Sequence, residues 1–280
     1  MNRKILMLLS LCAVACAKEN VNHRAVEAGR EDGKEICFEV KGMDPYTESK
    51  VTEVTRDNLT SFYLKATSGN AGSETERWSV TATKQASSGE FVTGKYWPFA
   101  DPSYHFYASN AALATSAAGA SVTVEGNSDV ICACLYDPVF NTTNSITFSH
   151  IMARIGTVEV SSANGYVVSV ASVKVLQAKT SGTFNLRTLS WSGLTGAASV
   201  ALSEGENDYL IVPGTYAMEV RYTLSKGDYS GTFTSSGDVV LAAGKISNVR
   251  VTLSADPAVA VNFAVTVMDW ESKTVGLTLG

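Results

Sequence analysis

Apolar and polar residues alternate along many short segments of this chain, and this period of two restricts its fold more than any other feature. The apolar members of these segments are Phe62, Leu64 and Ala66; Trp78, Val80 and Ala82; Tyr104, Phe106 and Ala108; Tyr216, Met218, Val220, Tyr222 and Leu224; Val249, Val251 and Leu253; Val261, Phe263, Val265 and Val267; and Val275, Leu277 and Leu279. A period of two is typical of antiparallel strands that bury one face. The sequence therefore predicts an all-β fold.

We expect more than a dozen strands in all, which exceeds one ordinary sandwich, and therefore predict two antiparallel β-sandwich domains. The polar stretch 137–145 (DPVFNTTNS) separates two apolar runs and gives the boundary, with an N-terminal domain at 35–144 and a C-terminal domain at 145–280. Only residues 111–118 have a helix-like composition, and Ser235-Ser236-Gly237 is typical of a turn between strands.

The first residues have the features of an export signal. Arg3 and Lys4 precede an uncharged apolar run at 5–15, which is too short to span a bilayer. The run leads through small residues into Cys16, the candidate lipidation site at the end of a signal peptide at 1–15. An ordinary signal peptide followed by a chance cysteine is the alternative. Residues 16–34 are polar and are expected to form a tether.

Charge and motif content argue against several function classes. The formal net charge is −5, which argues against nucleic-acid binding through a broad basic surface. The sequence contains three histidines and no spacing typical of a metal site, a phosphate-binding loop or a nucleophile elbow. We therefore expect no catalytic residues, no metal and no cofactor. A secreted hydrolase that uses a pair of the scattered carboxylates stays open as a third function class. For His150, a hydrogen-bonded structural role is favoured over a catalytic one.

Three cysteines follow the signal region: Cys37, Cys132 and Cys134. Cys132 and Cys134 are two residues apart, so in a strand they lie on one face, where a direct bridge would distort the backbone. Small buried thiols are the favoured interpretation. A bridge from Cys37 to either of the others stays open.

Aromatic residues suggest a second class of function. Trp78, Trp97, Trp191 and Trp270, together with eleven tyrosines, are able to stack on sugars. Aromatic side chains are also ordinary core residues of β-proteins. A glycan-binding surface lipoprotein is therefore kept as the alternative function.

Several segments resemble the Bacteroidales fimbrillin-like (type V pilin) surface lipoproteins. Beside the lipobox-like Cys16 and the tether, the similar segments are residues 58–62 (NLTSF), 94–98 (GKYWP), 104–108 (YHFYA), 146–155 (ITFSHIMARI) and 209–214 (YLIVPG). The resemblance implies two transthyretin-like sandwiches in a lipidated precursor on the outer membrane surface. It also implies that a trypsin-like protease removes the first strand. A strand from a neighbouring subunit then fills the groove, and the subunits polymerise into a fimbria.

Carried onto this chain, the resemblance makes Ile36, Phe38 and Val40 the apolar face of the removable strand. Val275, Leu277 and Leu279 have the same spacing and are the candidate donor strand. The alternative is that both segments are permanent strands of their own domains.

The cleavage loop departs from the family pattern. Many relatives have Thr-Arg-Ser or Thr-Arg-Ala, whereas this chain has Thr47-Glu48-Ser49-Lys50, so the candidate cleavage residues are Lys50 and Arg56. Stalk, anchor and tip subunits all stay open. The expected partners are other fimbrial subunits, the outer membrane and surface glycans or proteins of host or bacterial cells.

Overall fold

The computed structural model describes residues 33–41, 54–70, 73–98, 103–116, 119–162, 165–253 and 262–269. All regular structure in these ranges is β-strand, which confirms the all-β prediction. The strands are β1 (Glu35–Lys41), β2 (Ser61–Ser68), β3 (Thr75–Lys84), β4 (Phe91–Tyr96), β5 (Tyr104–Ser109), β6 (Leu113–Ser116), β7 (Gly119–Val124), β8 (Ile131–Leu135), β9 (Asn144–Thr147), β10 (Ser149–His150), β11 (Ala153–Ser162), β12 (Val167–Leu176), β13 (Lys179–Asn185), β14 (Ser190–Gly196), β15 (Ser199–Leu202), β16 (Gly205–Ile211), β17 (Gly214–Lys226), β18 (Tyr229–Leu241), β19 (Lys245–Leu253) and β20 (Asn262–Asp269).

Eight of the first ten strands form one sheet, in the order β10-β8-β5-β2-β3-β4-β1-β9. Its two edge strands, β9 and β10, are separated in the chain only by Phe148, so the sheet curls around a single core. Phe148 is fully buried in that core, where its ring packs 5.1 Å from the ring of Phe62. The core is rich in aromatic side chains and includes Phe38, Phe91 and Phe106.

The remaining strands form three four-stranded sheets, in the orders β16-β11-β19-β20, β15-β12-β17-β18 and β14-β13-β7-β6. The first two enclose a second core of mostly aliphatic residues. In β17, buried residues alternate with less buried ones from Tyr216 to Leu224, as the sequence pattern predicts. β17 pairs with β18 along all thirteen positions.

The sheet that contains β6 and β7 joins the two parts of the chain, because β7 pairs with β13. Beneath it lies a third core, to which Val122, Met152 and Phe184 contribute. β9 and β10 lie at and just after the predicted domain boundary, and both hydrogen-bond within the eight-stranded sheet. The division into domains at 35–144 and 145–280 stays a prediction.

Two local predictions are wrong. Residues 113–116 and 119–124, in and beside the helix-like region, form the antiparallel pair β6 and β7, because Val122 and Val124 are buried in the third core and β7 pairs with β13. Ser235–Gly237 lies inside β18 and pairs with Met218–Val220 of β17. Small turn-forming residues are tolerated there because the long partner strand satisfies their backbone groups.

Candidate functional site

β1 is the strand that the sequence marks as removable, and it lies inside the eight-stranded sheet. Ile36 and Phe38 are fully buried and Val40 is 4% exposed. The ring of Phe38 packs 5.1 Å from that of Phe106 and 6.3 Å from that of Phe62, both in edge-to-face geometry. The three predicted residues therefore form one apolar face directed into the first core.

The backbone of β1 is paired on both sides. It runs antiparallel to β4, with Phe38 opposite Phe91, and parallel to β9, with Val40 opposite Ile146. Taking β1 away would leave two open strand edges and an apolar groove between them. Burial of each of the three side chains contributes about 1.5–3 kcal/mol to the free energy that holds β1 in place. Loss of β1 would also leave backbone groups in the groove unpaired, which carries a further free-energy penalty.

A register shift separates Glu35 and Cys37 of β1 in their pairing with β4. Gly94 lies opposite this shift with a φ of +66°, which is a left-handed conformation that favours glycine. The hydroxyl of Thr93 donates to the carbonyl of Ile36 at 2.8 Å, and the backbone N–H of Gly94 donates to the carboxylate of Glu35 at 2.8 Å. Side-chain hydrogen bonds thus replace backbone hydrogen bonds where the pairing of β1 with β4 is interrupted.

The start of β1 is also held to the eight-stranded sheet. The N–H of Trp97 donates to the carbonyl of Lys34 at 2.9 Å, and the N–H of Lys34 donates to the amide oxygen of Asn141 at 2.8 Å. A Cβ at Gly33 would lie 2.1 Å from the carbonyl oxygen of Trp97, so this close approach requires glycine.

Cys37 is fully buried although it alternates with the apolar face of β1. This side of β1 is therefore open to solvent only further along, at Glu39 and Lys41. In the part of the chain that the structure describes, Cys37, Cys132 and Cys134 form no disulfide. The interpretation as buried thiols is confirmed for Cys37 and Cys132, whereas Cys134 is a thiol that is only partly buried. No disulfide ties β1 to the rest of the sheet.

The thiols of Cys132 and Cys134 are unreactive by environment. Burial raises the pKa of Cys132 to about 12, against a smaller opposing effect of the hydrogen bond with Ser109. Burial likewise raises the pKa of Cys134 to about 11. The Cys134 thiol donates to the carbonyl of Leu186 at 3.1 Å. Both groups are protonated at neutral pH, and the thiolate is the nucleophilic form.

Of the two candidate cleavage residues, Lys50 lies outside the described residues. Arg56 is exposed in a turn that precedes β2. Within this turn the N–H of Leu59 donates to the carbonyl of Thr55 at 2.9 Å, and the N–H of Thr55 donates to the amide oxygen of Asn58 at 2.7 Å. The ammonium of Lys84 donates to the carbonyl of Arg56 at 3.2 Å.

A buried carboxylate holds the residue that precedes this turn. One carboxylate oxygen of Asp129 accepts the N–H of Val54 at 2.8 Å, and the other lies 2.7 Å from Nδ1 of His150. The side chains of Asp129 and His150 are 1% and 5% exposed. This geometry fits the structural role predicted for His150. Sequence reasoning missed Asp129, because in sequence it is only the last of three consecutive polar residues, Asn127-Ser128-Asp129, which are typical of a turn.

The remaining candidate residues are buried, partly exposed or outside the described residues, and Tyr63 and Tyr136 are 43% and 42% exposed. Cys16, Trp270 and the candidate donor residues Val275, Leu277 and Leu279 lie outside the described residues. Trp97 is fully buried, and Trp78 and Trp191 pack partly buried against the first and third cores. These three rings contribute to packing of the first and third cores.

The described residues meet neither the requirements of a metal site nor those of a membrane-spanning helix. Across the described ranges, no group of three or more histidine, cysteine, aspartate or glutamate side chains is placed to hold a metal ion. No helix in the described part of the chain has the length and apolarity needed to cross a membrane.

Known proteins share the sequence pattern and the fold of this chain. Residues 49–270 match the model of a family described as fimbrillin-like. No curated protein matches the chain in sequence. A proposed cell adhesion protein from Bacteroides ovatus has a similar structure, with a TM-score of 0.50 and 13% identity over 86% of this chain and 99% of that one.

Two further solved structures are similar at lower scores. A proposed cell adhesion protein from Bacteroides uniformis is 16% identical with a TM-score of 0.49, over 84% of this chain and 98% of its own. A fimbrial assembly protein from Parabacteroides distasonis is 8% identical with a TM-score of 0.42, over 84% of this chain and 99% of its own. At such identities the Bacteroides ovatus structure supports the fold alone, whereas the family match covers most of the sequence. The chain belongs to the fimbrillin-like family.

Proposed function

We propose that this protein is a fimbrial subunit that assembles by donor-strand exchange. The precursor is exported, lipidated at Cys16 and held at the outer membrane surface. Proteolysis after a basic residue between β1 and β2 releases β1, and a strand from a neighbouring subunit enters the groove. The single observation that supports this most is the position of β1, which is paired on both edges and buries three apolar side chains.

Removal of β1 would open a groove between β4 and β9, the two strands that pair with it. Without β1 it exposes apolar side chains and unpaired N–H and C=O groups, both of which an added strand satisfies together. A subunit that donates at one end and accepts at another makes a head-to-tail contact. Such a contact does not close on itself, so it generates a filament.

The candidate donor is the segment that contains Val275, Leu277 and Leu279. Aligned in the direction of β1, these residues take the places of Ile36, Phe38 and Val40. Gly276 then takes the place of Cys37, where β1 buries a small side chain. Thr278 takes the place of Glu39, which is exposed. This register fills all three apolar positions and puts glycine at the position where β1 buries a cysteine.

The test is a polymerisation assay on trimmed precursor. We expect a ladder of species that resist detergent at low temperature and collapse to monomer on boiling. Leu277→Asp is expected to abolish the ladder, because it places a charge in the apolar groove. Thr278→Asp is the matched control and is expected to keep the ladder. Trimmed wild-type protein that stays monomeric would contradict a stalk-subunit role and leave an anchor or tip adhesin.

A further inference from the structure

We infer that the precursor is cut after Lys50, and that Arg56 belongs to the folded mature domain. This inference rests on the proposed function, in which a protease releases β1. Between β1 and β2 the sequence offers only two basic residues, Lys50 and Arg56. The structure describes the surroundings of Arg56 in detail, and those surroundings protect its peptide bond although its side chain is exposed.

The first protection is the turn itself. A protease binds its substrate as an extended strand, whereas the carbonyl of Thr55 accepts the N–H of Leu59 and so closes a compact turn around Arg56. The side chains of Thr55 and Asn58 bond reciprocally to each other's backbone N–H, at 3.3 and 2.7 Å. All three bonds must break before Arg56 is extended.

The second protection concerns the scissile carbonyl. Hydrolysis requires that the carbonyl oxygen of Arg56 enter the oxyanion hole of the protease. In the fold this oxygen accepts a hydrogen bond from the ammonium of Lys84 on β3. The turn is also anchored at its end, because Leu59 is 4% exposed and belongs to the first core.

The third protection is the anchor at Val54. Its N–H is held by the buried carboxylate of Asp129, which is itself paired with His150. The amide of Asn110 donates to the backbone carbonyl of Asp129 at 2.9 Å and thereby fixes the position of that residue. Pulling Val54 outward would leave a buried carboxylate oxygen without its donor, which carries a desolvation penalty.

A cut after Lys50 preserves all of these contacts. Water adds across the Lys50–Val51 peptide bond, which yields a carboxylate on Lys50 and an amine on Val51. β1 leaves with the Lys50 fragment, while Val54 stays bound to Asp129 in the mature domain. A cut after Arg56 would instead remove Val54 and Thr55 together with β1. Asp129 therefore acts as a positioning residue that holds the new N-terminal segment on the domain.

The experiment treats the full folded precursor with a lysine-specific or an arginine-specific endoproteinase and follows the bonds after residues 50 and 56 by mass spectrometry. The lysine-specific enzyme is expected to give a chain that begins at Val51. Cleavage after Arg56 is expected to be slower than in urea-unfolded protein by on the order of 100-fold, because several hydrogen bonds must open together. Rapid release of a chain beginning at Asp57 from folded precursor would overturn the inference.

Two variants test whether the turn is what protects the peptide bond after Arg56. The double variant Thr55→Ala/Asn58→Ala removes the reciprocal bonds without changing charge, and it is expected to speed cleavage after Arg56 by about tenfold or more. Ser88→Ala removes the hydrogen bond to the N–H of Glu90 in another exposed turn and is the matched control, with no expected change. An unchanged rate in the double variant would contradict the assignment.

The remaining test determines the N-terminus of protein isolated from the cell surface. Lys50→Gln is expected to block maturation, and Arg56→Gln is expected to leave it unchanged. The two proposals fail in different ways. A mature chain that begins at Val51 but never polymerises contradicts the fimbrial function alone, whereas polymers built from chains that begin at Asp57 contradict this inference alone.

Discussion

The hydroxyl of Tyr107 lies 2.8 and 3.1 Å from the two carboxylate oxygens of Glu74 and donates to this buried group. Glu74 also accepts the hydroxyl of Thr67 at 2.6 Å and forms an ion pair with Arg187. Tyr107 and Thr67 belong to the eight-stranded sheet, whereas Arg187 lies in the connection between β13 and β14. One carboxylate thus ties the eight-stranded sheet to the sheet that joins the two parts of the chain.

Loss of Arg187 is expected to destabilise the protein strongly. Arg187→Ala leaves the Glu74 carboxylate, which is fully buried, without its cation, and breaking one side of a buried pair costs about 3–5 kcal/mol. The matched control is Arg250→Ala, which removes an exposed pair with Glu159 and is expected to cost about 1 kcal/mol or less. Urea denaturation of both variants measures the difference. Equal effects would show that the Glu74 pair contributes no more than a surface contact.

Phe38→Ala is expected to destabilise the precursor by about 3–5 kcal/mol, because it empties a site between Phe62 and Phe106. Glu39→Ala, on the exposed side of the same strand, is expected to change stability by less than about 1 kcal/mol. In the donor-strand mechanism the mature polymer has lost residue 38, so polymers from the Phe38→Ala precursor should melt like wild type. A lower melting temperature of those polymers would indicate that β1 is retained.

The groove at the position of Cys37 is expected to select a small donor residue. Gly276→Phe should reduce polymer formation by about tenfold or more, because the corresponding position in β1 is fully buried. Thr278→Phe corresponds to exposed Glu39 and should polymerise nearly as wild type. The readout is the boiling-sensitive ladder. The opposite ranking of the two variants would require a different register or strand direction.

Alkaline pH is expected to weaken the fold through Cys132. Burial raises the pKa of this thiol from 9.0 to about 12, so the folded state keeps its proton at a pH where the unfolded state releases it. Stability from this group is fully present below about pH 9 and falls as the pH rises toward 12, by about 1.4 kcal/mol per pH unit. Urea midpoints at about pH 8 and pH 10.5 measure the loss, which Cys132→Ala should reduce. An identical loss in the variant would exclude Cys132 as the source.

The sequence alone was sufficient for the fold class and for one face of the candidate site. Alternation in β17 depends only on which residues face a core, and the local pattern records that directly. For the same reason, the period of two is enough to identify Ile36, Phe38 and Val40 as one buried face of a strand.

Strand pairing was decided only by tertiary structure. The parallel contact of β1 with β9 joins residues about a hundred positions apart, and no local pattern specifies a partner at that distance. The strand at 113–116 was obscured because alanine-rich segments have helical propensity, which pairing with β7 and burial of the third core outweigh.

The protection of Arg56 and the roles of Asp129 and Glu74 likewise required the fold. In sequence, Arg56 is a basic residue in a polar loop, and Asp129 is part of a turn signal. Their properties come from donors supplied by distant strands, such as Lys84 for the carbonyl of Arg56 and His150 for Asp129. Hydrophobic periodicity is a local property of the chain, whereas the pairing of buried polar groups depends on which segments meet in space. The sequence therefore determined which faces are buried, and the tertiary structure decided which polar groups those faces bring together.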